Sequence, residues 1–176
     1  CATTLAGVKP ASLFRYQGAD RRQSREAAAR WAKELAPYGI TVRILKVCPQ
    51  TGACLIYLYR AGWLRSILSE PSNRAFLARQ GYQTDQDCPG LLRQLSRRLC
   101  LEREFPHEIG VFLGYPLEDV VGFIENRGRN YTCCGCWKAY GDPEAARRRF
   151  DQYRRCTAAC KERFRRGAPI TQLIAA

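Results

Sequence analysis

The stretch Ile40-Thr-Val-Arg-Ile-Leu-Lys-Val47, with Pro49-Gln-Thr-Gly52 and then Ala53-Cys-Leu-Ile-Tyr-Leu-Tyr59 behind it, decides the fold. Both flanks are rich in β-branched and aromatic residues, which suit a pleated surface, and the segment between them carries turn-forming residues. A hairpin with strands over residues 40–47 and 53–59 follows.

Helical spacing surrounds this hairpin on both sides. Upstream, Asp20 to Pro37 carries Ala27, Ala28, Trp31 and Leu35 among charges, and Gly39 closes it. The opening segment 1–18, punctuated by Gly7, Pro10 and Gly18, reads as irregular. Downstream, Leu64 to Leu68 and Asn73 to Gln80 have helical spacing, and Leu91, Leu92, Leu95 and Leu99 form a stripe behind Pro89. Ile109 to Leu113 reads as a third strand, and Tyr115-Pro116 opens a helix over about Leu117 to Glu125. Asp142 and Pro143 announce a long C-terminal helix over about 143–165, whose face is Ala146, Phe150, Tyr153, Thr157, Cys160 and Phe164. The expected fold class is α+β. It has a small, mainly antiparallel three-stranded sheet from 40–47, 53–59 and 109–113, covered by several α-helices. Without an internal repeat or a low-complexity linker, residues 1–176 are expected to form a single domain.

A chain of 176 residues can bury most of its apolar surface without disulfides. Its 46% hydrophobic and 11% aromatic residues exclude a disordered chain, while Arg and Lys interrupt every apolar run, so no transmembrane segment is expected. A net charge of +13 suits a partner rich in phosphate, because bound cations release condensed counterions. Tyr131, Trp137 and Tyr140 beside the Arg-rich helix give a basic nucleic-acid-binding module its stacking residues. Against that reading, Trp137 and Tyr140 stand three apart beside a helix cap, a packing pattern. The surplus is also nearly all Arg, as codon bias in a GC-rich genome would produce; nucleic acid is the weaker reading.

The ten cysteines are Cys1, Cys48, Cys54, Cys88, Cys100, Cys133, Cys134, Cys136, Cys156 and Cys160. Most lie within hydrophobic patterns, which favours reduced thiols in a cytoplasm, although their even number keeps a disulfide framework open. Cys48, Cys54, Cys88 and Cys100 read as packing. With no Met in the chain, Cys1 is expected to be a trimmed or matured terminus, with lipidation the minor alternative.

Three chemistries stay open. Cys133, Cys134 and Cys136 with Cys156 and Cys160 can supply four thiolates to Zn or an iron–sulfur cluster. Cys133 with Cys134, or Cys133 with Cys136, can instead cycle between dithiol and disulfide. Cys1 with His107, the one histidine, can form a nucleophile–base dyad with Asn126 as a third member. His107 also suits a metal ligand or a purely structural role. No phosphate-binding Gly loop, paired-His metal motif or nucleophile elbow is present, which argues against the common nucleotide-dependent, metalloprotease and serine-hydrolase classes. The leading expectation is a cytoplasmic metal-binding or thiol-redox accessory protein with a redox or metal-handling partner. The alternative is a cysteine-dependent hydrolase or transferase.

Four segments carry a resemblance: Cys1-Ala-Thr-Thr-Leu-Ala-Gly-Val-Lys9, Phe105-Pro-His-Glu-Ile-Gly-Val-Phe-Leu-Gly-Tyr-Pro116, Gly122-Phe-Ile-Glu-Asn126 and Gly135-Cys-Trp-Lys-Ala-Tyr-Gly-Asp142. Together they resemble domain of unknown function family 3793 (DUF3793) along nearly the whole chain. The resemblance implies a bacterial protein, chiefly of anaerobic Firmicutes, and implies no mechanism.

Overall fold

The computed structural model describes residues 1–175. A short helix α1 (Ala2–Leu5) precedes strand β1 (Ala11–Tyr16), helix α2 (Arg21–Leu35), strand β2 (Ile40–Val47) and strand β3 (Cys54–Arg60). Helices α3 (Ala61–Ser69), α4 (Pro71–Arg79), α5 (Cys88–Leu101), α6 (Ile109–Phe112) and α7 (Leu117–Glu125) follow. A minimal hairpin, β4 (Cys133–Cys134) and β5 (Lys138–Ala139), leads to the long helix α8 (Pro143–Arg165). No helix among the described residues is long and apolar enough to cross a membrane.

β3 is the central strand of an antiparallel sheet in the order β1-β3-β2. Alternation along β3 assigns its two faces. Cys54, Ile56 and Leu58 face α2, packing among Ala28, Trp31 and Leu35. Tyr57 and Tyr59 face the main core, built from Leu64 and Leu68 of α3, Phe76 and Leu77 of α4, and the α5 stripe Leu91, Leu92, Leu95 and Leu99. The sheet is thus buried on both sides, and the hairpin expected from 40–47 and 53–59 is its β2–β3 pair.

The third strand differs from expectation. Ile109–Phe112 is a single helical turn with every residue buried, and the sheet is completed by β1, inside the segment expected to be irregular. A short, continuous apolar run has the same signature whether it is a buried strand or a buried helical turn. Packing chooses the turn. A Cβ added to Gly110 would lie 2.7 Å from Val120, so α6 and α7 approach through this glycine. The Tyr57 hydroxyl donates to the Phe112 carbonyl, which ties α6 to the sheet. In β1, apolar residues fall on both faces because Leu13 joins the main core and Phe14 joins the α2 side, so no clean alternation marks the strand.

Capping follows the local sequence. Asp20 accepts the Gln23 amide at 2.7 Å to start α2, and Asp87 accepts the Gly90 amide at 2.8 Å to start α5. Asp142 caps α8 through the Glu144 amide at 2.8 Å, with Pro143 in the first turn.

Leu92 is fully buried where α5 meets the main core. Leu92→Ala is expected to lower unfolding free energy by about 2–5 kcal/mol. Urea denaturation checks this as a fall in midpoint with an unchanged slope.

Candidate functional site

The site is organised by one carboxylate. Asp119 lies in the first turn of α7 and is buried, with three N–H donors converging on it. Its Oδ2 accepts the Trp137 indole N–H at 2.7 Å, and its Oδ1 accepts the amides of Tyr140 at 2.7 Å and Gly141 at 3.0 Å. Its position at the start of α7 adds the favourable field of the helix N-terminus. These bonds clamp the β4–β5 hairpin onto α7.

Aromatic packing sets the hairpin from beneath. The Trp137 ring stacks on Tyr115 at 4.9 Å and meets Phe150 of α8 edge-on at 4.5 Å. Gly135 lies so close to Phe150 that an added Cβ would come within 2.3 Å of its ring. The turn Cys134-Gly-Cys136 is therefore pressed onto the core through its glycine, and both flanking cysteines are exposed.

The segment Phe105-Pro-His-Glu108 contributes Phe105 and His107 to the same pocket as the hairpin turn. Glu108 is buried, receives the Tyr82 hydroxyl at 3.0 Å and pairs with Arg98 at 3.1 Å. Burial, with the Glu108 charge second, raises the Tyr82 phenol well above its ordinary value, so it stays a donor. Glu108 is thus an anchor drawn into the core, while its exposed neighbour His107 lies between the rings of Phe105 and Phe123, at 5.9 and 4.8 Å. His107, Phe123, Trp137, Cys134 and Cys136 line one pocket of about 410 Å³. Lys138, also on its wall, donates to the Gly128 carbonyl at 2.7 Å and stands 5.0 Å over the Tyr131 ring, holding the loop between α7 and β4. Arg127 and Asn130 in that loop adopt positive φ.

The sequence-derived candidates separate into distinct places. Cys134 and Cys136 come together with His107 in the pocket. Cys133 packs against the cluster of Trp137, Phe150 and Tyr153, consistent with the opposite side-chain directions of neighbouring strand residues. Cys156 and Cys160 lie one turn apart on α8, where burial first, and then Cys160, pushes the Cys156 thiol up. Cys1, at the start of α1, has its amino group near these two; burial first and Lys9 second push that group's pKa down. Cys1 is not among the residues lining the His107 pocket. Among the described residues, no three His, Cys, Asp or Glu side chains are grouped as metal ligands, so the set drawn for Zn or an iron–sulfur cluster is dispersed.

Of the four cysteines read as packing, Cys54 is buried and Cys88 packs on the main core, whereas Cys100 is exposed. Tyr131 is exposed, but Trp137 is buried and Tyr140 half-buried against Gly122, which removes two of the three stacking residues from the nucleic-acid reading. Arg148 and Arg154 of α8, and Arg166 just after it, pair with acids of that helix. Asp119 and Lys138 escaped the sequence reading. An acid in the first turn of a helix is ordinary, so Asp119 carried no distinguishing signal.

The family model described as "Protein of unknown function (DUF3793)" matches residues 1–174. No curated protein and no solved structure matches the chain.

Asp119→Asn keeps the side-chain shape but turns an amide donor toward one of the three N–H groups. The expected loss is about 1–3 kcal/mol, the cost of a buried unpaired donor. It is read by chemical denaturation, together with faster amide exchange at Tyr140 and Gly141.

Proposed function

The chain belongs to the family described as a protein of unknown function (DUF3793), and we propose that it is a thiol–disulfide redox protein whose working pair is Cys134 and Cys136. The observation that carries this reading is the shared pocket, in which two exposed thiols with a single residue between them stand with the chain's only imidazole.

In the proposed reaction the Cys134 and Cys136 thiols give up two protons and two electrons as an Sγ–Sγ bond forms between them. A disulfide of the partner accepts both and leaves as two thiols. The attacking species is a thiolate, and His107 serves to take and return the proton. The hairpin supports this by holding the two thiols on a turn that the core fixes through Gly135 and Trp137. Phe105 and Phe123 supply apolar walls against which a disulfide can lie.

This reading modifies the pairing expected from sequence, because Cys133 packs with the Trp137 cluster. It retains a reducing, cytoplasmic setting and a redox partner as parts of the proposal. Buried thiols such as Cys54 and Cys160, used as small apolar side chains, support that setting.

Mass spectrometry across a dithiol–disulfide redox series tests the proposal. The expected result is the loss of two hydrogens at one defined potential, with peptide mapping placing the bond between Cys134 and Cys136. C134S and C136S abolish the transition, and C133S and C156S retain it. His107→Asn slows exchange and leaves the midpoint potential unchanged. A pair that stays reduced throughout, or a bond mapped to other cysteines, overturns the reading.

A further inference from the structure

Cys136 also borders a second pocket, which His107 does not line. Of about 410 Å³, it is lined by Lys9, Arg154, Lys161, Thr3 and Thr157 along with Cys136 and two tyrosines. We propose that this pocket is an anion-binding subsite, and that the substrate is a small disulfide carrying an anionic group, seated with its sulfurs at Cys136. The substrate class rests on the redox reading above; the anion subsite itself does not.

The lining explains the choice. Three cations and four hydroxyl-bearing side chains, two threonines and two tyrosines, surround the space, and it has no Asp or Glu in its wall. Arg154 pairs with Asp151, but neither Lys9 nor Lys161 takes part in an ion pair among the described residues. Lys9 is held in place, with its ammonium 4.8 Å over the Tyr115 ring. Cations left without partners and fixed beside a reactive side chain are suited to receive negative charge from a ligand. The pocket that holds His107 is apolar by contrast, with Phe105, Phe123 and Trp137 in its wall. Cys136 stands where the two meet, so one half of a disulfide finds cations and the other finds aromatic rings. Both spaces are of small-molecule size.

Burial pushes the Lys9 ammonium down to about 8, with the Cys136 thiol working in the opposite direction. The groups facing it are the Cys1 amino group from α1, Cys136 from the hairpin, Tyr115, and Tyr153, Arg154 and Lys161 from α8. Tyr115 is pushed up to about 12 by burial and stays neutral. An anion in the pocket favours the charged form of Lys9. The contribution of Lys9 to anion binding is therefore complete below pH 8 and is lost as pH rises through that value.

The chemistry balances in two displacements. The Cys136 thiolate attacks one sulfur of the disulfide, the old S–S bond breaks, and one anionic thiolate leaves and takes a proton. The Cys134 thiolate then attacks the Cys136 sulfur, releasing the second thiolate and leaving the Cys134–Cys136 bond.

The test follows modification of Cys136 in the reduced full chain by peptide mapping. It uses 5,5′-dithiobis(2-nitrobenzoate) as the anionic disulfide and 4,4′-dithiodipyridine as the neutral one. The ratio of the two rates cancels changes in thiol reactivity. Lys9→Met and Lys161→Met are each expected to lower that ratio about two- to fivefold at Cys136, the scale of one partly exposed ion contact. They leave the ratio at exposed Cys100 unchanged. Arg147→Gln, which removes an equal charge about two to four turns along α8 from the pocket residues, has no effect at either thiol. In the wild type the ratio at Cys136 declines as pH rises through about 8, and in Lys9→Met this decline disappears. If both lysine variants give the Arg147→Gln ratio, the anion subsite is overturned, whatever the redox series shows. If the lysine variants respond but Cys134 and Cys136 never form a bond, the subsite stands and the redox reading falls with the substrate class built on it. Because Lys161 is exposed, its variant is expected to fold even where Lys9→Met does not.

Discussion

A buried carboxylate without a cation beside it is costly unless hydrogen bonds replace the water it loses. Asp119 meets that requirement with an indole N–H and two consecutive backbone amides, all supplied by the one hairpin that carries Cys134 and Cys136. Its charge thus requires the hairpin to dock, and the docked hairpin in turn covers the carboxylate. The rest of the site depends on this exchange. Trp137 is drawn down between Tyr115 and Phe150, Gly135 is pressed onto Phe150, and the thiols on either side of Gly135 are left facing outward. Two residues in β4 and two in β5 make a sheet too small to be stable alone, and the clamp supplies the anchorage the ladder lacks.

Glu108 shows the same physics with a different partner. It too is buried, yet it takes a guanidinium and a phenol, and it fastens the His107 segment to α5 and Tyr82. The two acids thereby fix two stretches of one pocket's lining, the hairpin turn and the His107 segment. Asp119 itself lines the cavity beside Val120, whereas Glu108 does not and leaves that place to its neighbour His107. A sequence reading that pairs His107 with a neighbouring carboxylate as a catalytic unit would miss this, since residues next to each other in a turn point in different directions.

How much of this was legible in the sequence depended on whether the signal was periodic. The α5 stripe, the face of α8 and the β2–β3 hairpin repeat their patterns over seven or more residues and were recoverable, except that the α8 face is buried only as far as Cys160 and its expected last member, Phe164, is exposed. Ile109–Phe112 and Ala11–Tyr16 were not, because one is uniformly apolar and the other serves two cores at once, leaving no alternation to read. The thiol-bearing loop and the histidine were identifiable as residue types. Their convergence was not, because it is produced by the Asp119 clamp, which connects residues 18 to 22 positions apart through a side chain with no sequence signature. The cysteines divide on the same principle. Cys160 serves hydrophobic packing where the α8 stripe puts it, and Cys133, expected among the reactive thiols, packs as well, while Cys134 and Cys136 are exposed because the turn between them is occupied by a glycine that has to touch Phe150.

A reactive thiol has to satisfy two opposed demands. It needs exposure to meet a substrate and rigidity to meet it in one geometry, and exposed turns are ordinarily the most mobile parts of a fold. Here rigidity comes from below. The turn is fixed by Gly135 against Phe150 and by Trp137 against Asp119 and Tyr115, so its outer surface can be left to solvent without being loose. Position then gives Cys136 what burial would otherwise have to provide. On one side it borders aromatic walls, on the other the cations Lys9, Arg154 and Lys161, and the two environments meet at a single cysteine. A fold that buried this cysteine for stability would lose both pockets. The small size of the hairpin is what allows it to be gripped from beneath and open above.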